Sequence, residues 1–186
     1  MRLTADVGLK RRERRDAARK LRSSKARRDA RRDIQADVDK VGILSLSEIN
    51  DDLLMWSHYS NGHKGICLEF LATDNTPFFG DAQPVRYNDQ RPRFDYGDDK
   101  FTQLEKIILT KSAHWSYEKE WRILRHPERG GRPHEFPPEL LVGVIFGCWT
   151  EPDHKKLVRE WIEAGRTHPK LYQARERDDA FGLEII

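Results

Sequence analysis

Lys111, Trp115, Glu118, Glu120 and Arg122 lie within the short segment KSAHWSYEKEWR, and their types make it the chemically richest stretch of the chain. Two carboxylates two residues apart can do acid/base work, stabilise an oxocarbenium-like transition state or hold a divalent ion, according to how burial separates their proton affinities. The same residues can equally form a fold-holding charge ladder, with Arg122 and Lys111 each paired to a carboxylate. Spacing leaves both uses open. Under a helical period Lys111, Trp115 and Glu118 sit at i, i+4 and i+7 and share a face. In an extended chain from residue 118, Glu118, Glu120 and Arg122 share one side, with Trp121 and Ile123 opposite.

A second constellation runs from Met55-Trp56-Ser57-His58-Tyr59 to His63-Lys64-Gly65. Met55 and Trp56 read as core, because apolar stripes on short helices are usually buried. His58 reads as a hydrogen-bonded structural histidine. Tyr59 and His63 are better placed for function, at a helix end and in the loop after it. His58, His63 and Cys67 are spaced five and four residues apart on a helix-loop-strand path, which suits zinc poorly, so no metal site is expected. Cys67 and Cys148 have apolar neighbours that disfavour a thiolate and favour buried free thiols over a disulfide.

These groups must be positioned by a small set of elements. VGILSL reads as a strand, SEINDDLLMWSHYS as a helix with Ser47 as its N-cap, and Asn61-Gly62 as its left-handed stop. GICLEFL and PVRYND follow as strands, and QRPRFDYGDDK as a polar loop. FTQLEKIILTKSAHW predicts a helix with Leu104, Ile107, Ile108 and Lys111 on one face. EWRIL then alternates as a strand, HPERGGRPHEFPPE is a loop, and LLVGVIFG a buried strand. A further helix opens at Thr150-Glu151-Pro152 with Leu157, Trp161 and Ile162 on its inner side, before LYQARER and FGLEII close as a hairpin. The pattern is that of an α+β fold, a mixed or mainly antiparallel sheet with about three helices. No P-loop, GxGxxG or nucleophile-elbow motif occurs in it.

Charge divides the chain. Residues 1–40 carry 15 Lys/Arg against 7 Asp/Glu, leaving 19 against 24 for the rest, a front of +8 and a body of −5. The front lacks Pro and is rich in Ala, Arg and Lys, so it predicts a long basic helix, mostly exposed, ahead of a single α+β domain over residues 41–186. Ile34 and Val38 are its last large apolar residues. Such a helix can meet nucleic acid or an acidic protein surface. No apolar run long enough for a membrane span or a secretory signal is present, and a cytoplasmic location with no membrane partner is expected.

The pattern Met55-Trp56-x-x-Tyr59, His63-Lys64-Gly65, Lys111, Trp115-x-x-Glu118-x-Glu120-x-Arg122 and Gly147-Cys148 resembles the bacterial family called domain of unknown function 2971. The resemblance covers about three quarters of the chain and implies a prokaryotic protein, in a copy shortened at its N-terminus relative to typical members. The E-x-E before a strand is also similar to that of ADP-ribosyltransferases. That similarity implies a defence or toxin-type enzyme acting on NAD or another nucleotide, with no cofactor required and NAD as a substrate. Glu120 or Glu118 would then be the catalytic carboxylate and Tyr59 the stacking aromatic. Lys111 or Arg122 would contact phosphate, with Trp115 and His63 completing the substrate site. The alternative is a non-catalytic module that binds nucleic acid or protein through the Arg-rich front.

Overall fold

Two of the helices start where a carboxylate satisfies free backbone donors. In the computed structural model, which describes residues 24–93, 98–125 and 135–186, Asp52 caps helix α2 (Leu53–Tyr59) by accepting from the Met55 N–H at 2.9 Å. Asp99 caps α3 (Lys100–Ile108) through the Thr102 N–H and hydroxyl, at 3.0 and 2.7 Å. Both caps fill the orphan-donor role of a helix N-terminus. α2 therefore begins five residues later than a Ser47 cap requires. The Ser47 hydroxyl is used elsewhere, donating to the Glu118 carbonyl at 2.8 Å and accepting from the Ile49 N–H.

The chain divides into two units by its internal contacts, Met1–Leu44, Pro84–Ser116 and Leu124–Gly130 in the first, Ser45–Gln83, Tyr117–Ile123 and Gly131–Ile186 in the second. In the first, α1 (Ser24–Val38) sends Ile34 and Val38 against buried Val41, Leu104 and Ile108. The end of the basic segment is thus anchored in a core, while the expectation of helix over residues 9–23 falls outside the described residues. Asp37 adds ion pairs to Lys100 at 2.6 Å and Lys40 at 3.2 Å. The Lys100 ammonium, then that of Lys40, holds the Asp37 carboxyl below its ordinary range.

The helix expected through Trp115 stops at Ile108. Residues Thr110–Ser112 instead form strand β5, parallel to β4 (Arg86–Asn88), with Arg86 opposite Thr110 and Tyr87 opposite Lys111. Leu109 closes the helix, its N–H reaching the Glu105 carbonyl and its own carbonyl accepting from the Arg86 N–H. Strand pairing overrides a helical periodicity that Leu104 and Ile108 obey up to that point.

The second unit is built on a mixed sheet. β2 (Ile66–Phe70) pairs antiparallel with β7 (Leu141–Phe146), β7 parallel with β8 (Lys170–Glu176), and β8 antiparallel with β9 (Leu183–Ile185). The parallel step is carried by helix α4 (Pro152–Ala164) as crossover, and β8 with β9 is the expected closing hairpin. Central β7 is buried along most of its length, which is why LVGVIF reads as an unbroken apolar run. Trp56, Ile145, Ala174 and Leu183 form one core, and Phe79, Ile123 and Leu140 another, edged by Phe70 and Phe136. The parts of β1 (Gly42–Ser47) and β6 (Glu120–Arg125) in this unit belong to a three-stranded sheet of order β1-β6-β3, where β3 is Gln83–Pro84. These elements establish the α+β class with a mixed sheet.

One expected face is borne out at Ile162 alone. Leu157 and Trp161 of α4 are 41% and 64% exposed, while Lys155, Val158 and Ile162 are its half-buried positions. Lys155 Nζ and the Arg159 guanidinium lie over the Phe146 ring at 5.9 and 5.6 Å, so cationic side chains cover the sheet where apolar ones were expected.

Candidate functional site

Glu118 is delivered by a change of backbone, with no continuous period running through it. The 3-10 turn Ala113–Glu118 follows β5, Lys119 takes a left-handed φ of 46°, and β6 starts at Glu120. The left-handed residue interrupts the strand alternation between Glu118 and Glu120. Its backbone is fixed on both sides, by Ser47 Oγ on the Glu118 carbonyl and by the Glu48 N–H on the Lys119 carbonyl at 3.1 Å. The carboxylate is 2% exposed and accepts a 2.9 Å hydrogen bond from the Tyr59 hydroxyl.

Tyr59 reaches this position because it is the last residue of a short, well-anchored helix. Asp52 caps one end of α2, the Trp56 indole N–H donates to the Asn50 carbonyl at 2.7 Å, and the Ser60 N–H closes the last turn on the Trp56 carbonyl. With Trp56 buried beneath it, Tyr59 keeps 63% of its surface exposed while its hydroxyl points at a buried carboxylate. That is an accessible aromatic face joined to a desolvated acid.

Glu120 is held differently. It is also buried, and Arg122, two residues along β6 and on the same side, donates to Oε1 at 2.7 Å and Oε2 at 3.0 Å. Both oxygens take part in a fork-type pair whose geometry is among the strongest available to two side chains. Of the E-x-E pair, Glu118 accepts from Tyr59 and Glu120 accepts from Arg122.

Residues 55–123 match a family described as Protein of unknown function (DUF2971). That span contains Tyr59, His63, Lys111, Trp115, Glu118, Glu120 and Arg122, every candidate singled out from the sequence. It ends at Ile123, before β7, α4 and β8. No curated protein and no solved structure matches the chain.

Within the matched span, Lys111 and Trp115 belong to the first unit, where the ammonium lies over the indole at 5.1 Å, a cation–π contact. They come together as anticipated, by a strand followed by a 3-10 turn in place of one helical face. His63 belongs to the second unit. Its φ is 64°, its ring lies 5.4 Å from that of Trp149, its carbonyl accepts from the Trp149 N–H, and its buried Nδ1 has no hydrogen-bond partner. Gly147 permits this approach, since a Cβ there would stand 2.2 Å from the His63 carbonyl oxygen.

Sequence reasoning missed Ser47, Trp149 and Asn50 as positioning groups. Only tertiary contacts identify them. The two thiols are free and half-buried, and both are pushed up from their ordinary value, first by burial and then by Glu69 at Cys67 and Glu176 at Cys148. Among the described residues no three His, Cys, Asp or Glu side chains converge as metal ligands would, and no helix is long and apolar enough to cross a membrane.

Proposed function

We propose that this protein is an enzyme acting on NAD or another nucleotide, with Glu118 as its working carboxylate. The observation that carries the reading is the 2.9 Å hydrogen bond from exposed Tyr59 to Glu118, an acid almost wholly removed from water. A carboxylate in a poorly solvated setting stabilises a developing oxocarbenium charge more strongly than one in water, and an exposed aromatic ring can receive a planar leaving group. In such a step the ribosyl C–N bond breaks, nicotinamide leaves with the electron pair, and water or an acceptor hydroxyl bonds to the ribosyl carbon. The proton lost by that nucleophile goes to Glu118. The Glu120–Arg122 pair braces the start of β6 beside it, and Tyr59 is the substrate contact.

The test is nicotinamide release from NAD by the full chain. Glu118→Gln should abolish turnover while shifting the melting temperature by no more than about 2 °C, since glutamine still accepts from Tyr59. Turnover retained in that variant sinks the proposal, and loss of folding assigns Glu118 to the fold.

A second reading, binding of nucleic acid through the basic front, is favoured by Lys25, Arg28 and Arg32 being exposed on α1. It calls for binding that weakens steeply with salt and is lost when Lys25, Arg28 and Arg32 are all replaced by Gln.

A further inference from the structure

β7 and β8 run parallel and are joined by α4, and β8 continues past the end of β7. Phe146, the last residue of β7, lies opposite Gln173, so residues 174–176 of β8 extend beyond the pairing. The chain leaving β7 turns away through Gly147, Cys148 and Trp149 towards α4. A notch opens between that turn and the overhanging strand. It is a cleft of about 430 Å³ lined by Cys148, Trp149, Lys155, Gln173, Arg175 and Glu176. Its place, outside the carboxyl end of a strand in a parallel β-α-β unit, is where open α/β sheets bind ligands.

The lining is ordered for recognition. Gln173 Nε2 donates to the carbonyls of Gly147 at 2.9 Å and Ala174 at 2.8 Å, which fixes the amide and turns Oε1 to Lys155 Nζ at 2.6 Å. The ammonium is thereby held at the cleft with its remaining protons available to an anion. Arg175 adds a second cation to the lining. Trp149 is 55% exposed and backed by the His63 ring, a supported indole face. Glu176 supplies a carboxylate able to accept from hydroxyl or amino donors. An aromatic platform, two cations and one acceptor around a single cavity describe a planar, hydrogen-bond-donating ring joined to a phosphate.

We propose that the cleft at the end of β7 binds a nucleoside monophosphate, its base on Trp149 and its phosphate between Lys155 and Arg175. The site lies outside the family-matched span and does not depend on the chemistry assigned to Glu118. It rests on different residues and stands or falls separately.

The experiment titrates the full chain with adenosine 5′-monophosphate, adenosine and inorganic phosphate, read by calorimetry and tryptophan fluorescence. The monophosphate should bind saturably and change the fluorescence, and adenosine or phosphate alone should bind at least about tenfold more weakly, each lacking one half of the contacts. Trp149→Phe should remove the fluorescence change, and Trp149→Ala, Lys155→Gln and Arg175→Gln should each weaken binding by about tenfold. All three positions are exposed or half-buried, and circular dichroism checks that the variants fold. Glu118→Gln should leave this binding unchanged. Absence of saturable binding to adenosine, guanosine, cytidine and uridine monophosphates at millimolar concentration overturns the proposal. So does monophosphate binding that survives Trp149→Ala and Lys155→Gln, or that Glu118→Gln removes.

Discussion

Arg122→Met should be among the most destabilising substitutions in the second unit. The Glu120 and Arg122 side chains are 7% and 16% exposed and share two short N–H···O bonds. Removing the guanidinium takes two short hydrogen bonds from a carboxylate that water can hardly reach, and breaking such a pair from one side costs about 3–5 kcal/mol. With a urea slope of about 2 kcal/mol/M, the unfolding midpoint should drop by roughly 1.5–2.5 M. That is a large part of the 5–15 kcal/mol typical of whole domains. The double substitution Glu120→Met with Arg122→Met should recover much of this loss, because it removes the stranded charge along with its partner. Urea unfolding followed by tryptophan fluorescence and far-ultraviolet circular dichroism gives the cycle. A single-variant loss under about 1 kcal/mol, with the double variant additive, is the behaviour of a surface pair and would refute the assignment of Glu120 as a brace.

Asp52→Ala should cost about 1 kcal/mol by uncapping α2, and nicotinamide release, if Tyr59 positions Glu118, should fall with it in the folded fraction. At Asp99, the Thr102 N–H and then the Thr102 hydroxyl hold the carboxyl below its ordinary range, so the cap is at full strength above the unfolded value near pH 4 and is lost as pH falls through the lower folded value. Asp99→Asn, which caps without titrating, should remove that part of the acid dependence of helicity. Gly147→Ala should destabilise by about 1–3 kcal/mol because its Cβ meets backbone at His63; a neutral effect in urea unfolding would show that the close approach relaxes freely. Cys67 and Cys148 should alkylate slowly at neutral pH and faster as pH rises, and Glu176→Gln should lower the apparent thiol pKa of Cys148 alone.

Elements with a strong one-dimensional signature were legible in the sequence. The apolar run at β7, the β8–β9 hairpin and the start of α4 at Pro152 follow from composition and turn chemistry alone. Where two local preferences competed, a third strand decided. Lys111 left the helical face because β4 offers Thr110–Ser112 a parallel partner, and Ser47 lost its capping role to Asp52 because its hydroxyl has a better use on Glu118. The outward turn of Leu157 and Trp161 was equally hidden, since nothing in a linear pattern reveals that Lys155 will be tethered by Gln173 across eighteen positions. The pairing of Arg122 with a carboxylate was anticipated in the charge ladder, whereas the Tyr59–Glu118 hydrogen bond, across 59 positions, was not. Nor does periodicity reveal the left-handed backbone of Lys119, which breaks the strand alternation between Glu118 and Glu120.

Asn61, Gly62 and His63 all have positive φ, a left-handed run of three that only its middle residue adopts without strain. Asparagine tolerates the region, whereas histidine there costs about 1 kcal/mol relative to glycine. His63 also keeps a buried ring nitrogen without a partner, a second cost at the same position. A screen for thermostability alone would therefore drift towards glycine at 63, discarding the imidazole behind Trp149. A screen for ligand retention at the cleft would keep the histidine, so the two selections should part company at this one codon.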